Sequence, residues 1–103
     1  MLEKDIQNAI CDYLALKGYF FWRNNTVGLY DAKSGGYRSM PKYAKAGVPD
    51  IILVKDGTFI GLEVKTPKTQ QSDAQVAFES GVTKAGGRYH VARSVDDVLA
   101  LGL

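Results

Sequence analysis

The chain of 103 residues has one cysteine, one histidine and three prolines, and its thirteen basic residues nearly balance eleven acidic ones. With Cys11 alone, no internal disulfide can form, and with His90 alone, no Cys/His cluster can hold zinc. Cys11 lies in a helical pattern and reads as a small apolar side chain. His90 lies in a strand pattern and reads as structural or exposed rather than as a ligand. No apolar run approaches the roughly 20 residues of a membrane helix, and the opening "MLEKDIQNAI" is a charged amphipathic pattern without a secretory core. With 46% hydrophobic and 23% charged residues, disorder is excluded as well. The expectation is one cytoplasmic globular domain over residues 1–103, without membrane contact or organic cofactor.

Charge is scarce in total but uneven in place. Between Arg23 and Lys45 stand five basic residues, Arg23, Lys33, Arg38, Lys42 and Lys45, against the single acid Asp31. The same stretch carries Tyr30, Tyr37 and Tyr43. It has no sustained periodicity, so a long loop over about 25–46 is expected, with "AKSGGY" suggesting the tip of a short hairpin. Loops of that length in small domains are usually functional or disordered.

The flanking segments are more regular. Leu2, Ile6, Ala9, Ile10, Tyr13 and Leu14 form one stripe at helical spacing over residues 2–17, with Gly18 placed to close the helix. "YFFWRN" is dense in strand formers. "DIILV" and "TFIGLEVK" are two strands joined through Asp56-Gly57, a strong signal for a two-residue hairpin. Both are apolar on both faces, as central strands covered from two sides are. Ser72 opens a second helix whose stripe is Ala74, Ala77, Phe78, Gly81, Val82 and Ala85, closed by Gly86-Gly87. "RYHVAR" follows as a fourth strand, and Ser94 caps a short last helix. The predicted order, with a hairpin followed by a helical crossover, implies a mixed sheet with helices on both faces.

Against this apolar background three charged residues stand out: Asp50, Glu63 and Lys65. If Asp56 and Gly57 are the central turn residues, Lys55 faces Thr58, and counting outward Asp50 faces Glu63. Their Cβ atoms would then lie about 4.5–5.5 Å apart. Alternation puts Lys65 on the same face. Two carboxylates that close in a covered sheet repel, and one must hold a proton unless a cation lies between them. Hard oxygen donors point to Mg²⁺ or Mn²⁺. Pro49 holds Val48 extended, and Gly47 leaves room for a close backbone approach. Glu3 and Gln75 lie at the edges of their helical stripes. For Glu3 the competing role is a favourable acid in a helix's first turn. For Gln75 it is a capping box with Ser72.

"AGVPDIIL", "GLEVKTP" and "SDAQVAF", in that order, resemble the VRR-NUC (virus-type replication-repair nuclease) branch of the PD-(D/E)xK nuclease superfamily, over nearly the whole chain. The resemblance implies an α/β fold of the restriction-endonuclease-like type, an αβββαβ core with a four-stranded mixed sheet flanked by helices. It implies that Asp50, Glu63 and the backbone carbonyl of Val64 hold a catalytic Mg²⁺ or Mn²⁺, that Lys65 orients the attacking water, and that Glu3 and Gln75 complete the site, with Gln7 as a further candidate. The basic segment supplies nucleic-acid contacts: Arg23, Lys33, Arg38, Lys42 and Lys45 to phosphates, and Tyr30, Tyr37 and Tyr43 to unpaired bases or sugars. Small relatives of this kind cut four-way DNA junctions as homodimers, so branched DNA and a second copy are the expected partners, in a phage-type enzyme. A non-catalytic DNA-binding module with the same fold, and a flap-cutting or restriction-like nuclease, are the alternatives.

Overall fold

The computed structural model describes residues 2–24, 30–31, 36–37 and 41–103, with residues 30, 31, 36 and 37 described by main chain only. The elements are α1 (Glu3–Leu16), β1 (Phe20–Arg23), β2 (Tyr30–Asp31), β3 (Gly36–Tyr37), β4 (Ile51–Lys55), β5 (Thr58–Val64), α2 (Asp73–Lys84), β6 (Arg88–Ala92) and α3 (Val95–Ala100). Four strands form one mixed sheet in the order β1-β4-β5-β6, flanked by helices, while β2 and β3 pair as the short hairpin expected in the basic segment.

The register of this sheet follows from its turn. Asp56 and Gly57 both adopt positive φ, 52° and 75°, the conformation of a two-residue turn whose twist matches the flanking strands. Lys55 therefore pairs with Thr58, and the ladder continues outward to Ile51 opposite Leu62. β1 joins β4 antiparallel, and β6 joins β5 parallel, which requires the crossover that α2 provides.

Alternation then separates two faces. On one, Ile51, Leu53, Ile60, Leu62, Val64 and Ala92 meet Ile6, Ile10 and Leu14 of α1 and Val98 of α3 in a continuous core. Each such aliphatic, fully buried, contributes about 1.5–3 kcal/mol of transfer free energy. Leu2 and Ala9, expected on the α1 stripe, are exposed instead. The buried stripe is the narrower row at four-residue intervals, since Leu2 lies before the first helical turn. Cys11 is half-buried against this core, and burial raises its thiol pKa. His90 accepts a hydrogen bond from Arg88 Nε at 3.2 Å, and burial followed by the Arg88 charge lowers its pKa, as suits a structural imidazole.

The other face carries Glu63 and Tyr89, and α2 lies over it with Phe78 against Tyr89, ring centroids 6.1 Å apart. Here the expected helix stripe is corrected. Ala74, Phe78 and Val82 are half-buried, but Ala77, Gly81 and Ala85 are exposed, because α2 is turned so that Gln75 and Glu79 complete its half-buried face instead.

One tight packing point fixes α2 lengthwise. Gly47 has φ of 80°, and a Cβ there would overlap the Ala74 carbonyl and lie 2.8 Å from Gln75 N. Two residues on, Pro49 is fully buried against Gly61, where an added Cβ would come within 2.6 Å of the proline Cγ. The 47–49 segment is thus wedged between the first turn of α2 and the middle of β5. Gly47→Ala is expected to lower stability by about 2 kcal/mol or more, from left-handed backbone strain and overlap together. Urea denaturation measures it, and an unchanged midpoint would contradict the wedge.

Candidate active site

The wedge delivers Asp50 to the end of β5. Asp50 precedes β4 by one residue, in the slot beyond the Ile51–Leu62 pair, which is the slot facing Glu63. Its carbonyl accepts the Asn24 N–H at 2.8 Å, continuing the β1–β4 pairing. Its carboxylate Oδ2 accepts the Val64 N–H, also at 2.8 Å. Asp50 is therefore held at main chain and side chain by different strands.

Glu63 is 3% exposed, a buried charged residue among the described residues. Gln75 Nε2 donates to its Oε1 at 2.6 Å, and the Tyr89 hydroxyl lies 3.4 Å from its Oε2. Burial, the Asp50 charge and a side-chain hydrogen bond to Asp50 push the Glu63 pKa up to about 8, with a smaller push from Glu3, while Lys65 pulls against them. Near neutral pH the Glu63 carboxyl therefore keeps its proton.

Gln75 closes the capping box and also reaches Glu63. Its Oε1 accepts the Ser72 N–H at 2.8 Å and its own N–H donates to Ser72 Oγ at 3.2 Å, closing the capping box. An amide presents acceptor and donor on separate atoms, so Nε2 remains for Glu63. The cap holds the side chain in the rotamer that reaches the acid.

The remaining candidates divide. Lys65 is half-exposed beside Glu63, close enough to stabilise its ionised form. Glu3 is exposed on the first turn of α1 and acts on Glu63 only as the smallest of its influences, a rim position. Arg23 and Gln7 meet each other: the guanidinium donates to Gln7 Oε1 at 2.9 Å and Asn8 Oδ1 at 3.2 Å, tying β1 to α1. Lys45 lines a cavity of about 260 Å³ together with Gly47, Asp50, Glu63, Ser72 and Gln75. Lys42 places its ammonium 5.1 Å from the centroid of the Tyr43 ring, which is 85% exposed. Lys33 and Arg38 lie outside the described residues, as do the side chains of Tyr30 and Tyr37, whose main chains pair across β2 and β3.

With the sheet order, the flanking helices and this cluster in place, a likeness can be stated. The fold is shared with a solved VRR_NUC domain protein. The match covers 98% of this chain and 84% of the other, with a TM-score of 0.68 at 18% sequence identity, so the likeness is one of architecture. No protein-family model matches the chain, and no curated protein does.

In the frame of the VRR_NUC fold, the donor set can be tested against a divalent cation. Among the described residues no three acidic, histidine or cysteine side chains converge. The available donors are the carboxylates of Asp50 and Glu63 and the main chain at Val64, whose N–H already marks its closeness to Asp50. The proton that Glu63 keeps offsets repulsion that a cation would offset more fully, and all the donors are hard oxygens. The residues fit a hard divalent cation.

Sequence reasoning missed Tyr89. "RYHVAR" was legible as a strand, but nothing local tells which residue of β5 a parallel neighbour will face, and only the register Gly61 to Tyr89 and Glu63 to Val91 brings the phenol to the acid.

A pH dependence follows for the metal-free protein. Glu63 has a folded pKa of about 8 against an ordinary value of 4.5. The folded state therefore holds the proton more tightly than the unfolded chain. The stabilisation belonging to the protonated form is complete below about 4.5 and is lost as pH rises through about 8. Denaturant midpoints are expected to fall across that window, and Glu63→Gln, which cannot ionise, should flatten the fall. A midpoint that does not fall, with Glu63→Gln leaving the profile unchanged, would show that Glu63 ionises normally.

Proposed function

We propose that the chain is a metal-dependent, structure-selective DNA endonuclease that cuts four-way junctions as a homodimer. The observation that carries this reading is the facing pair Asp50–Glu63, the one held by the Val64 N–H and the other buried and held by the Gln75 amide, with Lys65 next on the same face. A close acid pair at a covered sheet costs stability unless it serves a ligand.

Asp50, Glu63 and the Val64 carbonyl would hold Mg²⁺ or Mn²⁺. When bound, such an ion offsets charge developing on a phosphate and lowers the pKa of water. Asp50 is kept in place by the Val64 N–H, and Glu63 is oriented by the Gln75 amide. Lys65 orients the attacking water and donates to a non-bridging phosphate oxygen, adding positive charge where negative charge grows. Water attacks phosphorus in line as the bond to the 3′ oxygen breaks, leaving a 5′-phosphate and a 3′-hydroxyl. Lys45 at the cavity and Lys42 with Tyr43 farther out bind the sugar-phosphate backbone and an unpaired base. Cutting both strands of a two-fold junction takes two such centres, which a C2 dimer supplies.

A cleavage panel of junction, flap, splayed and linear duplex DNA with Mg²⁺ or Mn²⁺ tests this. Lys65→Ala and Asp50→Asn are each expected to reduce junction cleavage by about 100-fold or more while junction binding persists. Asp50→Asn keeps an oxygen acceptor for the Val64 N–H, so its loss reports chemistry rather than folding. Undiminished cleavage by purified Lys65→Ala would sink the assignment, and junction binding without cutting under either metal would favour a non-catalytic module.

Lys42→Ala combined with Lys45→Ala is expected to weaken binding equally across DNA sequences. It should also reduce the slope of log affinity against log salt by about two, since each lost phosphate contact releases roughly 0.9 fewer counterions. An unchanged slope would remove this segment from the contact surface.

A further inference from the structure

The Tyr89 hydroxyl is buried beside the acid pair yet belongs to none of the groups so far given a role. Tyr89 is 4% exposed, with its ring against Phe78. It lies on the sheet face of Glu63, one step along the neighbouring strand, because β6 runs parallel to β5 with Glu63 opposite Val91. Its hydroxyl lies 3.4 Å from Glu63 Oε2. Among the described hydrogen bonds this is the one its hydroxyl makes.

A ring needed only for packing could be phenylalanine, since a buried hydroxyl costs free energy unless it is bonded. Here the bond goes to the second oxygen of an acid whose first oxygen is held by Gln75 from a different element. Donors on both oxygens, from α2 and from β6, fix the plane of the carboxyl group. The 3.4 Å separation is long for an O–H···O bond, and a small turn of the carboxyl group shortens it.

We propose that Tyr89 is a positioning residue that orients the Glu63 carboxylate toward a bound divalent cation. This inference rests on the metal-dependent reading above. Groups that hydrogen-bond a ligating side chain typically change metal affinity by 10–100-fold when removed.

The test is Mn²⁺ titration by calorimetry on the full chain, wild type against Tyr89→Phe, with melting temperature and cleavage kinetics alongside. Tyr89→Phe keeps the ring against Phe78. A Mn²⁺ dissociation constant raised about tenfold is expected, with kcat lowered, KM for DNA unchanged and only a small change in melting temperature. Unchanged Mn²⁺ affinity in the variant would overturn the inference and leave the nuclease reading standing. A wild-type protein that takes up no Mn²⁺ would overturn both. Should Tyr89→Phe fail to fold, Tyr89→Met, which also lacks the hydroxyl, is read in its place, with weakened Mn²⁺ binding expected and unchanged binding again overturning the proposal.

Discussion

Two carboxyl groups facing each other across adjacent strands are an unfavourable arrangement, and much of this small structure serves to hold it. Water alone would let Asp50 and Glu63 swing apart. Inside the sheet they cannot, because Asp50 is bound to the Val64 N–H and the Asn24 N–H, and Glu63 is enclosed under α2. The cost shows in the Glu63 proton, which stays to about pH 8. Lys65 relieves only part of the repulsion. In the proposed reading a divalent cation would take the place of that proton and offset the charge of both acids.

The scaffold around the pair is built from few contacts, each with a second consequence. Gly47 lets the chain pass against the first turn of α2, and the same turn presents Gln75. The Ser72–Gln75 box starts α2 and also locks the amide that holds Glu63. Pro49 fills the space over Gly61 and sets the path into Asp50. A loop, a helix start and two strands thereby converge on one cavity of about 260 Å³, with Lys45 at its lining. The opposite face of the sheet, packed by α1 and α3, holds the aliphatic core and leaves the functional face free to carry polar groups.

The parts that were legible in the sequence depended on short-range chemistry. Asp56-Gly57 set the hairpin, and the hairpin set Asp50 opposite Glu63 by counting. The Ser72-x-x-Gln75 spacing announced the capping box, and Gly18 and Gly86-Gly87 marked where helices close. Misreadings came where a pattern met a neighbour it could not foresee. The α2 stripe was drawn toward the wrong side, since the position of a buried stripe depends on how a helix sits on its sheet. Nor did any local pattern announce that the Arg23 guanidinium would reach Gln7 and Asn8 on α1.

By itself, then, the sequence determined the hairpin register, the facing acids with Lys65 beside them, and the mixed α/β architecture, because turn geometry, strand alternation and helix capping act over a few residues. Only the tertiary structure decided that Gln75 caps and donates at once, that Glu3 stays at the rim, and that Tyr89 reaches the second oxygen of Glu63. Those outcomes depend on the seating of α2 and on a parallel strand pairing formed across a crossover. No local preference specifies either, since both are chosen by the packing of segments distant in the chain.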